Sequence, residues 1–152
     1  MRPEDLIINF EDSILVTGSN GFIGSKVVGF LLDYGFSNLR CLVRNSSDLT
    51  VLNKIIDLYP KAKVELIKGN LLSKEDCTEI SKNARVIYHL AAGRGDKSFP
   101  NAFLNSVVTT KNLLSAEGLF GHLKRFVNVS SFTVYSNYKA KRGELLYENF
   151  AL

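Results

Sequence analysis

The hydrophobic pattern of the chain switches repeatedly between short continuous apolar runs and runs with helical spacing. Short apolar runs rich in branched side chains predict buried strands. They lie at 13–18, 39–44, 63–69, 85–92 and 124–131. Between them, apolar positions spaced three and four residues apart predict helices. The helical stretches lie at 22–35, 47–60, 73–83 and 100–119.

Strands that alternate with helices indicate a parallel sheet joined by helical crossovers. Because such crossovers are right-handed and continuous apolar strands are buried on both sides, helices should cover both faces. We therefore predict an α/β fold, a doubly wound parallel sheet of about five strands in the order 3-2-1-4-5. The pattern ends near residue 136, which predicts one domain over 1–135 and an irregular segment over 136–152.

The composition and the first residues restrict where the protein acts. No apolar run approaches the ~20 residues of a membrane span, and the acidic start, MRPEDLIINFEDS, lacks the form of a signal peptide. We therefore expect a cytoplasmic protein without a membrane partner. Cys41 and Cys77 stand in no CxxC or Cys/His spacing, so we interpret them as buried reduced thiols and expect no metal site.

The net charge of +4 among 152 residues is mildly basic. Such a charge attracts either nucleic acid or a phosphorylated small molecule. The sequence has no recognition-helix motif and no interleaved aromatic platform of the kind that single-strand binders use. We therefore favour a phosphorylated small ligand over nucleic acid.

Three glycines, Gly18, Gly21 and Gly24, lie three residues apart between the first predicted strand and the first predicted helix. In that setting the first glycine permits a tight turn, the second lets a pyrophosphate approach the backbone, and the third lets helix and strand pack closely. The diphosphate would lie at the helix N-terminus, where N–H groups and the helix dipole favour an anion. The turn therefore predicts a dinucleotide site.

Four segments together resemble one known family. They are TGSNGFIG (17–24), YHLAA (88–92), TKNLLSA (110–116) and FVNVSSFTVYS (126–136). Over about residues 13–136 the chain resembles the extended short-chain dehydrogenase/reductase family, which includes nucleotide-sugar epimerases and dehydratases and plant-type hydroxy-ketone reductases. The resemblance implies a Rossmann-type fold and a nicotinamide dinucleotide. It also implies cofactor contacts at Gly18, Asn20, Gly21, Phe22, Ile23, Arg44, Asn70, Leu71, Ala91, Ala92 and Gly93.

The end of the second predicted strand indicates which dinucleotide is preferred. Enzymes that use NAD place an acid there for the ribose 2′-OH, whereas this chain has Val43 followed by Arg44. An arginine offers a fork of donors suited to a 2′-phosphate, with Asn45, Ser46 and Ser47 as further neutral donors. We therefore predict NADP over NAD. Asn70 stands where the family usually has an adenine-binding aspartate, and its carbonyl can still accept that hydrogen bond.

Catalysis in this family needs a serine or threonine, a tyrosine and a lysine four residues after the tyrosine. The resemblance assigns Ser131 as the catalytic serine. The resemblance places the Tyr-x-x-x-Lys pair further after the serine, at positions that would fall beyond Leu152. Tyr135 and Lys139 have the spacing of such a pair but lie too close to Ser131 to serve. We therefore expect the N-terminal, cofactor-binding part of a longer enzyme, which binds a dinucleotide without turnover.

Two functions remain open at this point. The first is part of an NAD(P)-dependent oxidoreductase, epimerase or dehydratase that acts by hydride transfer on a nucleotide sugar or a hydroxy/keto substrate. The second is a non-catalytic NADP(H)-binding redox sensor that acts through a protein partner. The resemblance also raises a homodimer formed through the helix over 100–119, for which Phe103, Val107 and Leu114 provide an apolar face.

Overall fold

The computed structural model describes residues 6–93, 98–117 and 121–131. The predicted boundary between residues 135 and 136, together with Tyr135 and Lys139, lies outside these ranges. Strands and helices alternate along the chain in the predicted order. The elements are β1 (Ile14–Thr17), α1 (Phe22–Asp33), β2 (Asn38–Val43), α2 (Thr50–Ile56), β3 (Lys63–Lys68), α3 (Lys74–Ser81), β4 (Val86–His89), α4 (Phe99–Ala102), a π-helical segment (Phe103–Val108), α5 (Thr109–Glu117) and β5 (Arg125–Asn128).

The five strands form one parallel sheet in the order β3-β2-β1-β4-β5. This result confirms the predicted fold class and strand order. Residue Ile14 of β1 pairs with Leu39 of β2 on one side and with Val86 of β4 on the other. The chain therefore leaves β1 toward β2, and later enters β4 on the opposite side of β1. Ligands of doubly wound sheets bind at such a reversal, outside the carboxyl ends of the strands.

Two hydrophobic cores lie on opposite faces of the sheet, because successive side chains of a strand point to opposite faces. Ile14 and Val16 pack with Val28 of α1 and Leu52 of α2. Leu15, between them in the sequence, packs into the second core, which α3 and α5 cover. Burial on both faces explains why the strands have continuous apolar runs.

Local chemistry explains where three of the helices begin or break, and two of them differ from the predicted ones. Helix α3 begins where predicted, because the Ser73 hydroxyl accepts a hydrogen bond from the Asp76 N–H at 3.0 Å. Helix α2 begins only at Thr50, whose N–H donates to the Asp48 carboxylate at 2.9 Å. The single helix predicted over 100–119 is divided by the π-helical segment. None of the helices in the described ranges has the length and apolar character to cross a membrane.

Both cysteines are buried and free. Burial raises the pKa of Cys41 to about 12 and that of Cys77 to about 11. Each thiol is therefore protonated at neutral pH and packs as a small apolar side chain, Cys41 in one core and Cys77 in the other.

Candidate functional site

A cleft of about 420 Å³ lies at the carboxyl edge of the sheet. Its walls come from the turn after β1, the exits of β2, β3 and β4, and the π-helical segment. Eight of the eleven predicted cofactor residues line it. They are Gly18, Asn20, Gly21, Arg44, Asn70, Leu71, Ala91 and Ala92. The cleft thus brings together residues that are more than 70 positions apart in the sequence.

The glycine turn forms the floor of this cleft. Gly18 has a φ of +66°, and a Cβ added there would lie 2.8 Å from the backbone nitrogen of Ala91. A Cβ on Gly24 would lie 2.0 Å from the carbonyl oxygen of Gly18. Gly21 faces the cleft, and its N–H donates to the Gly18 carbonyl at 3.0 Å. The turn leaves bare backbone where a diphosphate would need to approach.

The N-terminus of α1 points into the same region. Gly21 is its N-cap, no side chain caps it, and its first turn contains no acidic residue. The first N–H groups of a helix have no partner inside the helix, so those of Phe22 and Ile23 suit an anion. Their side chains are 86% and 54% exposed and do not line the cleft. The predicted contacts of these two residues therefore depend on the backbone alone, and they remain a prediction.

The exit of β2 contributes a positive charge, Arg44, to the lining of the cleft. Val43, at the position where an acid would hold a ribose 2′-OH, is 2% exposed and lines the wall. The N–H of Arg44 donates to the Ser47 hydroxyl at 3.0 Å, which fixes the turn. The Arg44 guanidinium reaches the side chain of Asn105, with 3.3 Å between Nη2 and Oδ1. Arg44 thus extends toward the opposite wall.

Within the part of the chain that the structure describes, one acidic residue, Asp48, also lines the cleft. Its carboxylate accepts hydrogen bonds from the Thr50 N–H at 2.9 Å and from the Thr50 hydroxyl at 2.7 Å. These two bonds lower the pKa of Asp48 below its ordinary value. The Asp48 carboxylate is therefore engaged in hydrogen bonds with the first residue of α2.

The exit of β3 contributes Asn70 and Leu71. The Asn70 side-chain oxygen accepts a hydrogen bond from the Leu72 N–H at 3.0 Å, and the Asn70 N–H donates to the Asp76 carboxylate at 2.7 Å. Because an amide oxygen has two lone pairs, it can accept a second hydrogen bond from a ligand. Leu71 is buried and joins the core beneath the cleft.

The exit of β4 contributes Ala91 and Ala92, whose small side chains leave space in the cleft. Gly93 lies outside the cleft lining. Its N–H donates to the Ser106 hydroxyl at 3.0 Å, and a Cβ there would lie 3.0 Å from the Ala102 Cα. Ser131 is exposed, three residues after the end of β5. The contact predicted for Gly93 and the catalytic assignment of Ser131 remain predictions.

A hydrogen-bond relay connects the strand ends beneath the cleft. Thr17 Oγ1 accepts from the N–H groups of Leu90 and Ala91, each at 3.2 Å. Because both its lone pairs are occupied, its hydroxyl proton must go to His89 Nδ1, which is 2.8 Å away. His89 Nε2 then donates to Thr110 Oγ1 at 2.9 Å, and Thr110 donates to the Ser106 carbonyl. Burial lowers the pKa of His89 to about 4, so this ring is neutral at pH 7.

Among the cleft residues that sequence reasoning missed are two from the helix after β4, Asn105 and Thr109. The 3.6-residue period places this helix against the sheet. The π-helical segment changes which side chains of this helix face the cleft. The sequence signal that could have found them is the two polar pairs, Asn105-Ser106 and Thr109-Thr110, within an apolar helical pattern.

A doubly wound sheet with a glycine turn at the reversal of strand order defines the class of dinucleotide-binding domains. Residues 14–151 match the sequence profile of the NAD dependent epimerase/dehydratase family. The chain therefore belongs to this family, within the extended short-chain dehydrogenases/reductases. Members of the family bind a nicotinamide dinucleotide, and the bare glycine turn and the uncapped α1 N-terminus suit its diphosphate.

Individual relatives agree with this assignment. The chain is 36% identical to aldehyde reductase 2 of Sporidiobolus salmonicolor over 124 residues, which cover 78% of this chain and 35% of that protein. It is 33% identical to UDP-glucose 4-epimerase 3 of Oryza sativa subsp. japonica over 134 residues, 81% of this chain and 35% of that protein. UDP-glucuronic acid 4-epimerase from Bacillus cereus, solved in complex with NAD, superposes with a TM-score of 0.69 at 26% identity, covering 91% of this chain and 45% of its own. The chain thus spans less than half the length of these relatives.

Proposed function

We propose that this chain is the cofactor-binding part of an NADP(H)-dependent oxidoreductase, epimerase or dehydratase. The observation that carries the proposal is the cationic Arg44 at the β2 exit, beside the buried Val43. NAD-binding sites use an acid at this exit to hold the ribose 2′-OH. A guanidinium presents several parallel donors to a phosphate instead, and the carboxylate of the neighbouring Asp48 is engaged by Thr50.

We propose a position in the cleft for each part of the dinucleotide. The diphosphate would lie on the glycine turn and the α1 N-terminus, the ribose phosphate at Arg44 and Ser46, and the adenine beside Asn70 and Leu71. The small side chains of Ala91 and Ala92 would leave space for the rest of the cofactor. When bound, the nicotinamide supplies or accepts a hydride. We propose Ser131 as the residue that would bond the substrate oxygen.

The substrate class follows from the relatives alone. One relative is named for reducing an aldehyde and two for epimerising a nucleotide sugar. We propose a small carbonyl or hydroxyl compound, or a nucleotide sugar, as the substrate. An arginine in place of the NAD-type acid favours the reductive members of this group.

The proposal is tested by titrating the 152-residue chain with NADPH and with NADH in a calorimeter. We expect NADPH to bind at least about tenfold more tightly, because one charge-assisted contact to a phosphate contributes roughly 1.5–3 kcal/mol. Arg44→Ala should remove that preference while leaving the affinity for NADH within about twofold. Lys54→Ala, which removes an exposed cation from α2 outside the cleft, is the matched control and should change neither affinity. Equal affinities in the unaltered chain, or no binding of either dinucleotide, would overturn the proposal.

We also propose that two copies of the chain associate through the helix after β4. Phe103, Val107 and Leu114 are 46%, 52% and 48% exposed. Their apolar surface extends to Phe99 and Leu104, which are exposed as well. A second copy of the same surface would bury these side chains.

A further inference from the structure

The contact between Arg44 and Asn105 joins two elements on opposite sides of β1. Arg44 follows β2, Asn105 belongs to the π-helical segment that follows β4, and β2 and β4 flank β1. Because neighbouring strands lie about 4.8 Å apart, the exits of β2 and β4 are roughly 10 Å from each other. The hydrogen bond from Arg44 Nη2 to Asn105 Oδ1 therefore crosses the cleft.

Asn105 lies within the π-helical segment and lines the cleft. The backbone N–H of Thr109 bonds the carbonyls of Leu104, five residues earlier, and of Ser106, in place of the Asn105 carbonyl that an α-helix would use. The Thr109 hydroxyl, at 3.0 Å, satisfies the Asn105 carbonyl. Thr109 is itself 4% exposed and lines the cleft. The irregular backbone is thus stabilised by a side chain of the site, and it lies where π-helical turns commonly occur, at a functional site.

The Asn105 amide is held in one orientation. Its Nδ2 donates to the carbonyl of Asn101 at 2.9 Å, which leaves Oδ1 to face the guanidinium. A neutral amide oxygen accepts a hydrogen bond from Arg44 without cancelling its charge. Because a guanidinium has five N–H donors, one bond to Asn105 leaves the others available for a phosphate.

We propose that Asn105 is a positioning residue that holds the Arg44 guanidinium over the cleft and so enhances the preference for NADPH over NADH. The proposal rests on the proposed NADP(H) preference and extends it to a residue from the opposite wall. Arg44 is exposed, and an unrestrained arginine loses rotamer freedom when it binds a ligand. The bond to Asn105 restricts that freedom before the cofactor arrives, which is how preorganisation increases affinity.

The test is a double-mutant cycle read as the ratio of the dissociation constants for NADH and NADPH. Asn105→Ala should lower this ratio about threefold to tenfold, because the released Arg44 side chain must then lose its rotamer freedom when it binds the phosphate. Asn105→Asp should lower it further, because a carboxylate neutralises Arg44 and repels the phosphate. In the Arg44→Ala background, Asn105→Ala should leave the ratio unchanged, since the residue through which Asn105 acts is absent.

Two controls separate positioning from a purely structural role. Asn101→Ala changes a side chain on the same helical stretch outside the cleft lining, and it should leave the ratio unchanged. A structural role of Asn105 would lower the thermal midpoint and weaken NADPH and NADH equally, so the ratio would not change. That result would overturn the proposal, as would an equal effect of Asn105→Ala in both backgrounds.

The two proposals fail in different ways. If Arg44→Ala removes the preference and the Asn105 variants keep it, the positioning role is wrong and the NADP(H) site stands. If the unaltered chain binds neither dinucleotide, or binds both equally, the NADP(H) proposal fails and the positioning role fails with it.

Discussion

At the scale of single residues, two close contacts explain why the turn contains glycine. A Cβ added to Gly18 would be too close to the backbone of the β4 exit, and a Cβ added to Gly24 would be too close to the Gly18 carbonyl. Both involve backbone atoms, which cannot move aside as the end of a long side chain can. Gly18 also has a positive φ, which costs an L-residue roughly 1–2 kcal/mol. Backbone shape and close packing therefore require glycine here independently of any ligand.

Replacing Gly18 with alanine should destabilise the fold as well as the site. We expect Gly18→Ala to lower the free energy of unfolding by about 2 kcal/mol or more, because strain in the turn adds to the contact with Ala91. Urea denaturation measures this change. The control is Gly29→Ala within α1, whose added Cβ would meet only the Ile55 Cγ2 at 3.6 Å. That substitution should raise stability by about 0.5–1 kcal/mol. A Gly18→Ala chain as stable as the unaltered one would contradict the described turn.

At the scale of elements, the relay through His89 connects β1, β4 and α5. The direction of every bond in it follows from the two N–H groups that occupy Thr17 Oγ1. Only a neutral ring with its proton on Nε2 satisfies both threonines. A protonated ring would place a second donor against the Thr17 hydroxyl and a charge in the interior. The relay therefore favours the folded state only while His89 is neutral.

This relay predicts a loss of stability in mild acid. The pKa of His89 is about 4 in the folded chain, below the ordinary value of 6.5. The unfolded chain consequently binds the proton more readily, so stability is full above pH 6.5 and falls as the pH falls toward 4. We expect the free energy of unfolding to decrease by about 2 kcal/mol between pH 7 and pH 5. Urea denaturation at a series of pH values measures the decrease.

The second histidine of the chain provides the control for this prediction. His122→Gln should retain the same pH dependence, because His122 is exposed and lies outside the relay. The carboxylate of Asp48 has a lowered pKa, and its contribution is lost only at more acidic pH, below its ordinary value of 3.8. A free energy of unfolding that is constant from pH 7 to pH 5 would show that His89 titrates normally.

Most elements follow from local pattern, and the exceptions have a physical cause. Continuous apolar runs such as the one over 13–18 predicted the strands, because burial on both faces leaves no polar alternation. The start of the helix predicted over 73–83 agrees with α3, because its cap joins Ser73 to the Asp76 N–H three residues later and needs no tertiary contact. The π-helical segment was not predictable, since it depends on Thr109 and on the contact of Gly93 with Ser106, which only the folded sheet brings together.

At the scale of the whole molecule, the sequence predicts those site residues that lie at the ends of strands. Gly18, Arg44 and Ala91 lie at the carboxyl ends of predicted strands and Asn70 directly follows one, and parallel strands end at the same edge. Asn105 comes from the interior of a helix, so its approach to Arg44 depends on how that helix packs and where its period changes. The strand ends thus predict the floor of the cleft, while the opposite wall requires the assembled fold.

The exposed face of the helix after β4 predicts how whole molecules associate. We expect the unaltered chain to sediment at twice its monomer mass, because pairing would bury the apolar side chains that include Phe103 and Val107. Leu114→Glu should shift it to the monomer, since two buried carboxylates would face each other without partners. Analytical ultracentrifugation at neutral pH measures both masses.

An exposed leucine elsewhere serves as the control for that shift. Leu58 is 73% exposed and lies beyond α2, on the other face of the sheet. Leu58→Glu adds the same charge and should leave the dimer intact, whereas a loss of association in both variants would indicate a general effect of charge. A monomeric unaltered chain, or a Leu114→Glu chain that remains dimeric, would show that this helix face does not pair with a second copy.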